Sequence, residues 1–242
     1  MLKVIAGSAP IIMVLVAAAF VVSPDSAFLL RQVLLCVIGV AGTIVAERLL
    51  FESGWKRIVS ALGFLAPRGR AVMVAVAVSL PMWLFVPLYT RFTDAPIVLS
   101  PDWLSILVGV ILVNGVAEEV IHRAFIFGHL RETGSFRTSA TISAAIFAAQ
   151  HIYLLFTIGT VPGLVSVVLA FAVAFPLAFL YERGGNSLVA PAILHTSSNA
   201  PMMLFETAGA DGAVLLAHMA VVLVSMYLAF VFQPLLRSPR AT

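Results

Sequence analysis

The stretch ILVGVILVNGVAEEVIHRAFIF, residues 106–127, decides the fold. It is long and apolar enough to cross a bilayer, for which a helix needs about 20 predominantly apolar residues. Yet Glu118, Glu119, His122 and Arg123 lie well inside it. Charged groups at membrane depth are costly, scarce and concentrated at functional sites. The stretch therefore reads as a membrane helix with a polar site built into it.

The rest of the chain supports a lipid environment. Of its 242 residues, 62% are hydrophobic and 10% charged, whereas a soluble domain carries about 25% charged residues. The net charge of +3 brings with it no basic stripe interleaved with aromatics, so a nucleic-acid partner is not expected. Cys36 is the only cysteine, which excludes an intrachain disulfide and a cysteine-based metal cage.

Apolar runs bounded by Pro, Gly, Asp and Asn punctuation predict spans at 4–22, 28–50, 71–92, 102–128, 138–158, 163–182, 187–205 and 212–233. The first is read as retained, because Ser23-Pro24-Asp25-Ser26 offers no small-residue cleavage site and the run is long for a signal peptide. The fold class is an all-α polytopic bundle of about eight transmembrane helices, with residues 1–242 forming one integral membrane domain and 102–205 its catalytic core.

Charge placement orients this map. With eight spans and the N-terminus inside, Lys3, Arg48, Lys56, Arg57, Arg68, Arg70, Arg131, Arg137, Arg183, Arg237 and Arg240 share the inner face. The outer face receives only Arg31 and Arg91, together with Asp25, Asp94, Asp102, Glu206 and Asp211. The bias of Lys and Arg toward the cytoplasm then places both termini there. Trp103 and Tyr89 are expected at the outer boundary, and Trp55 and Tyr181 at the inner one, as an aromatic belt.

Three spans deliver polar groups to one depth. Measured from Arg131, Arg137 and Arg183, Glu118, His151 and His195 all fall about 18–24 Å in at 1.5 Å per residue. Glu119 and Arg123 are spaced i,i+4 and share a helix face, and pairing lowers the cost of burying either charge. Glu118 points about 100° away and is the freer carboxylate. His195 and Asn199 are also i,i+4, and Phe147 lies one turn before His151. A carboxylate beside a histidine in a dehydrated cavity can act as general base toward water. A His/Asn pair can donate to an oxyanion as it forms.

The blocks Glu118-Glu119-Val120-Ile121-His122-Arg123, Phe147-Ala148-Ala149-Gln150-His151 and His195-Thr196-Ser197-Ser198-Asn199 resemble the three motifs of the CPBP family, the CAAX proteases and bacteriocin-processing enzymes also called Abi. The resemblance covers roughly residues 102–205. It implies an eight-helix intramembrane endopeptidase in which Glu118, assisted by His151, activates water and His195 and Asn199 stabilise the oxyanion. Glu119 and Arg123 would hold the architecture or position the peptide, with Phe147 walling the site. No cofactor is expected by that resemblance. A zinc-dependent variant would use Glu118, His151 and His195. The chain departs from the family at His122, where Phe is usual, and at Ala124, where Gly is common. His122 is i+4 from Glu118 and is expected to hydrogen-bond it.

The implied partner is a membrane-embedded or membrane-adjacent peptide, and the implied location a prokaryotic plasma membrane. Two other classes stay open on the residues. Buried Glu and His also form the proton relays of transporters, and a non-catalytic scaffold or immunity protein could retain the same shape.

Overall fold

The structure, a computed structural model, describes residues 1–21, 28–93, 97–207 and 212–236. Asp25, Asp94, Asp211, Arg237 and Arg240 of the charge map lie outside the described residues, as does the side chain of Glu206.

Long helices occupy the positions of the expected spans: α1 (Leu2–Val21), α2 (Phe28–Leu50), then a short α3 (Trp55–Ala61), α4 (Gly69–Thr93), α5 (Trp103–Thr133), α6 (Phe136–Thr157), α7 (Thr160–Arg183), α8 (Val189–Leu204) and α9 (Gly212–Val231). Among the described residues, six are long and apolar enough to cross a membrane. Those six are α2, α4, α5, α6, α7 and α9; α1 contributes a shorter apolar helix over Leu2–Ala18, and α8 has only 16 residues. Six of the eight expected spans are thus long and apolar enough to cross among the described residues, and the two others are present as helices short for a full crossing. Helix α3 and a small antiparallel ribbon of β1 (Ile97–Leu99) and β2 (Phe205–Thr207) were not expected in an all-α reading. The ribbon joins the chain entering α5 to the chain leaving α8 in the register Leu99↔Phe205, and Ser100 N donates to Leu204 O beside it.

Helix α5 sits at the centre, touching α1, α2, α6, α7 and α8. On one side Val120, Ala124 and Phe127 pack with Ile58 of α3 and Ala178 of α7. On another Ile121 and Phe125 pack with Val4 and Ile11 of α1 and Ala46 of α2. Beyond α5, residues Val78, Met82, Phe147, Leu177, Leu194 and Met226 close a second core between α4, α6, α7, α8 and α9. Outward faces keep Leu84, Leu88, Val168 and Val224 exposed. Such a surface suits lipid, where burial between helices gains little from the hydrophobic effect and close packing decides association. Two contacts depend on that closeness. A Cβ on Gly115 of α5 would lie 2.7 Å from Thr196 Oγ1 of α8, and one on Gly163 of α7 would lie 2.6 Å from the Leu155 backbone of α6. In α6, Ala144 and Ala148 face the bundle while Ala145 and Ala149 face outward, so one of the two small-residue rows makes the contact.

The basic residues gather at one end. Lys3 Nζ donates to Leu50 O, joining the start of α1 to the end of α2. Arg131 and Glu182 pair at 2.7 Å across the ends of α5 and α7. Arg68 N donates to Gly184 O, and Leu188 N to Gly63 O, which brings the loops before α4 and α8 together. Tyr181 departs from the aromatic-belt expectation: it is buried in the core with Phe127 and Ile58.

Candidate active site

Two backbone irregularities shape the site. Helix α5 is not α-helical through its polar motif: Ile111–Ala117 and Val120–Phe127 are wound as π-helix. Wide π turns are rare and concentrate at functional sites. In α6, the regular helix stops at Gln150 and continues as a 3₁₀ turn over His151–Tyr153. The backbone N–H groups at that end turn to Ala148 O and Ala149 O, and His151 Nδ1–H donates to the Phe147 carbonyl at 2.8 Å. That bond orients the ring and leaves Nε2 without a partner among the described residues.

The glutamates have different surroundings. Glu119 is fully buried, and its Oε1 meets both His195 Nδ1 at 2.6 Å and Arg123 Nη1 at 3.2 Å. A carboxylate oxygen only accepts, so His195 donates from Nδ1. Glu118 accepts from Asn114 Nδ2 at 3.0 Å through Oε2 and from Gln150 Nε2 at 3.2 Å through Oε1. His195 Nε2 lies 3.5 Å from Glu118 Oε2, so this one imidazole stands between both carboxylates.

Phe147 forms the floor. Its ring centroid lies 4.6 Å from that of His151, 4.7 Å from His122 and 5.7 Å from His195, all edge-on. The Arg123 guanidinium sits 4.6 Å from the same centroid. A desolvated cation over an aromatic face is stabilised by the ring quadrupole, by about 2 kcal/mol. The expected pairing of Glu119 with Arg123 is therefore present, and Phe147 acts on Arg123 as well as on the histidines.

Other expected contacts differ. His122 does not bond Glu118; its Nε2 meets Gln150 Oε1 at 2.8 Å, and Gln150 carries the link on to Glu118. Asn199 does not converge with the His195 ring: its Nδ2 donates to His195 O and Ser198 Oγ, both on its own helix. No hydrogen bond joins His151 to Glu118 among the described residues. Nor is any group of three or more His, Cys, Asp or Glu disposed to hold a metal ion there. The conditional zinc set of Glu118, His151 and His195 is therefore not gathered as ligands.

Gln150 and Asn114 are the contributors that motif spacing passed over. Both were visible as polar residues at membrane depth, a signal that favours function. Asn114 also lies i,i+4 from Glu118. Ser197 has a structural part, accepting from Trp83 Nε1 at 3.0 Å and so tying α8 to α4.

Residues 100–201 match the family model of the type II CAAX prenyl endopeptidases, Rce1-like. The matched stretch carries Glu118, Glu119, Arg123, Phe147, His151, His195 and Asn199. No curated protein and no solved structure matches the chain.

Proposed function

We propose, from the premise that residues 100–201 form an Rce1-like domain in an integral membrane protein, that this chain is an intramembrane endopeptidase. Rce1-like proteins are intramembrane proteases. Its substrate is a membrane-embedded or membrane-adjacent peptide, cleaved by water that Glu118 activates.

The observation that carries this reading is the division of labour between the glutamates. Glu119 is committed to Arg123 and His195, whereas Glu118 is aimed by two neutral amides and, among the described residues, makes no direct ion pair with Arg or Lys. A carboxylate oriented in this way, in a site poor in water, can take a proton from water as that water attacks a peptide carbonyl. His151 Nε2, free of partners among the described residues, is the second group for proton transfer. His195, held by Glu119 through Nδ1–H, turns Nε2 toward the developing oxyanion and donates to it once that nitrogen also carries a proton, and Asn199 joins it after leaving the His195 carbonyl. Neither role calls for a metal, and chelator-resistant cleavage is the expected behaviour.

The test compares membranes of cells expressing wild type with those expressing Glu118→Gln, His151→Ala and His195→Ala, each checked for folding, by quantitative proteomics for an uncleaved membrane protein. Substrate accumulation in the variants is expected. Unchanged processing in all three would exclude the peptidase reading, and solute uptake driven by a pH gradient in proteoliposomes would replace it with a transporter.

A further inference from the structure

A second polar cavity, of about 380 Å³, lies at the basic end of the bundle between α3, the last turns of α5 and the end of α7. It is separate from the Glu118 site: the α5 residues lining it begin at Ala124. Its polar lining consists chiefly of Arg57, His129, Arg131, Glu132, Tyr181 and Asn186.

Donors outnumber acceptors there. Tyr181 is only 3% exposed, and among the described residues its hydroxyl has no hydrogen-bond partner. That hydroxyl stands over Gly128, 3.8 Å from where a Cβ would be, so the absent side chain leaves it open to the cavity. The hydroxyl is thus reachable from the cavity and free to donate to what occupies it. Arg57 is exposed on α3, and its guanidinium has no ion pair or hydrogen bond among the described residues. The other charges are already engaged. Arg131 binds Glu182 and Gly134 O. His129 Nε2 meets Glu47 at 2.6 Å, and its Nδ1 faces Glu132 at 3.5 Å. The uncompensated charge is therefore Arg57, and the ligand it fits is an anion.

The surroundings identify the anion's source. Trp55, 71% exposed, and Phe64, 48% exposed, lie on α3 and the turn after it, near in sequence to the lining residues Arg57 and Leu65. Basic pockets between helices at a membrane face, bordered by amphipathic aromatics, suit lipid head groups. We propose that this cavity binds the phosphate of an anionic phospholipid between Arg57 and the Tyr181 hydroxyl, with the acyl chains along Trp55 and Phe64. Bound there, the lipid bridges α3 to α5, the helix that carries Glu118 and Glu119.

The experiment uses the full chain in detergent, with native mass spectrometry after addition of phosphatidylglycerol, phosphatidylcholine or inorganic phosphate. Phosphatidylglycerol is expected to be retained over phosphatidylcholine. Arg57→Ala is expected to lower that retention about fivefold. Tyr181→Phe, which keeps the buried ring, should lower it too at an unchanged melting temperature. Arg70→Ala removes an exposed charge at the same end but outside the cavity, and should leave retention unchanged. Equal retention of the two lipids, undiminished retention in Arg57→Ala, or an equal loss in Arg70→Ala overturns the proposal. Retention of inorganic phosphate as strong as that of the lipid would make this a free-phosphate site and overturn the lipid assignment.

Discussion

At Glu119 a single oxygen serves Arg123 and His195, and the side chain has no exposure. Neutralising it leaves the Arg123 guanidinium buried with Phe147 as its main support. Breaking a buried pair from one side costs about 3–5 kcal/mol. Glu119→Gln is therefore expected to lower the melting temperature sharply. Glu118→Gln removes a proton acceptor while retaining a side chain that still fits among Asn114, Gln150 and His195. It should melt close to wild type and cut cleavage by about 10²–10⁴-fold. Scanning fluorimetry beside a cleavage assay separates the two, and equal destabilisation would refute the division of labour. A second pair of substitutions tests the His122–Gln150 link. Gln150→Leu leaves a buried ring nitrogen of His122 without its partner, at about 1–3 kcal/mol. Replacing His122 by Phe, the residue usual in CPBP proteins, removes that nitrogen. The double variant His122→Phe/Gln150→Leu should thus be more stable than the two single losses sum to, a coupling that a double-mutant cycle reads directly.

Helices α5 and α8 must approach closely for His195 to reach both glutamates, and Gly115 permits it. Gly→Ala inside a helix ordinarily stabilises by about 0.5–1 kcal/mol. Here the new methyl would meet Thr196 Oγ1 at 2.7 Å, so the sign reverses and α8 must shift. A displacement of about 1 Å can cost about 10²-fold in rate, and Gly115→Ala is expected to lose activity on that scale. Thr196→Ala deletes the opposing atom, so the double variant should recover most of the rate. No recovery would show that Gly115 acts through the π-helical backbone itself. That backbone marks the limit of what the sequence discloses. The positions of the long helices follow from apolar run length and Pro/Gly punctuation, because lipid tolerates little else. The Glu119–Arg123 pair follows from i,i+4 spacing. The π turns of α5 and the 3₁₀ turn at His151 leave no mark in composition, since they choose among hydrogen bonds available to any residue. Gln150 and the turned-away amide of Asn199 are settled by contacts between helices, which a single sequence does not contain.

Across the whole molecule, one end collects Lys3, Arg131, Arg183, helix α3 with Arg57 and the loop that carries Arg68, while Arg91 lies in the last turn of α4 at the other. By the positive-inside rule the basic end, with the polar cavity and the N-terminus, is expected to face the cytoplasm and the ribbon the outer side. Helix α4 reports this by itself: its 25 residues extend about 37 Å at 1.5 Å per residue, more than the roughly 30 Å hydrocarbon core. Its ends therefore lie in opposite interfaces. Cys36, the only native cysteine, is buried, so single cysteines introduced at exposed positions can be read over a low background. Thr93→Cys should react with a membrane-impermeant maleimide in intact cells. Arg70→Cys and Thr133→Cys, at the far end of α4 and the basic end of α5, should react only after permeabilisation. If all three labels invert together, the bundle is oriented the other way and the cavity faces outward. If Arg70→Cys and Thr133→Cys disagree with each other, the basic residues do not share one membrane face, and the depth argument that gathers Glu118, His151 and His195 into one layer fails with them.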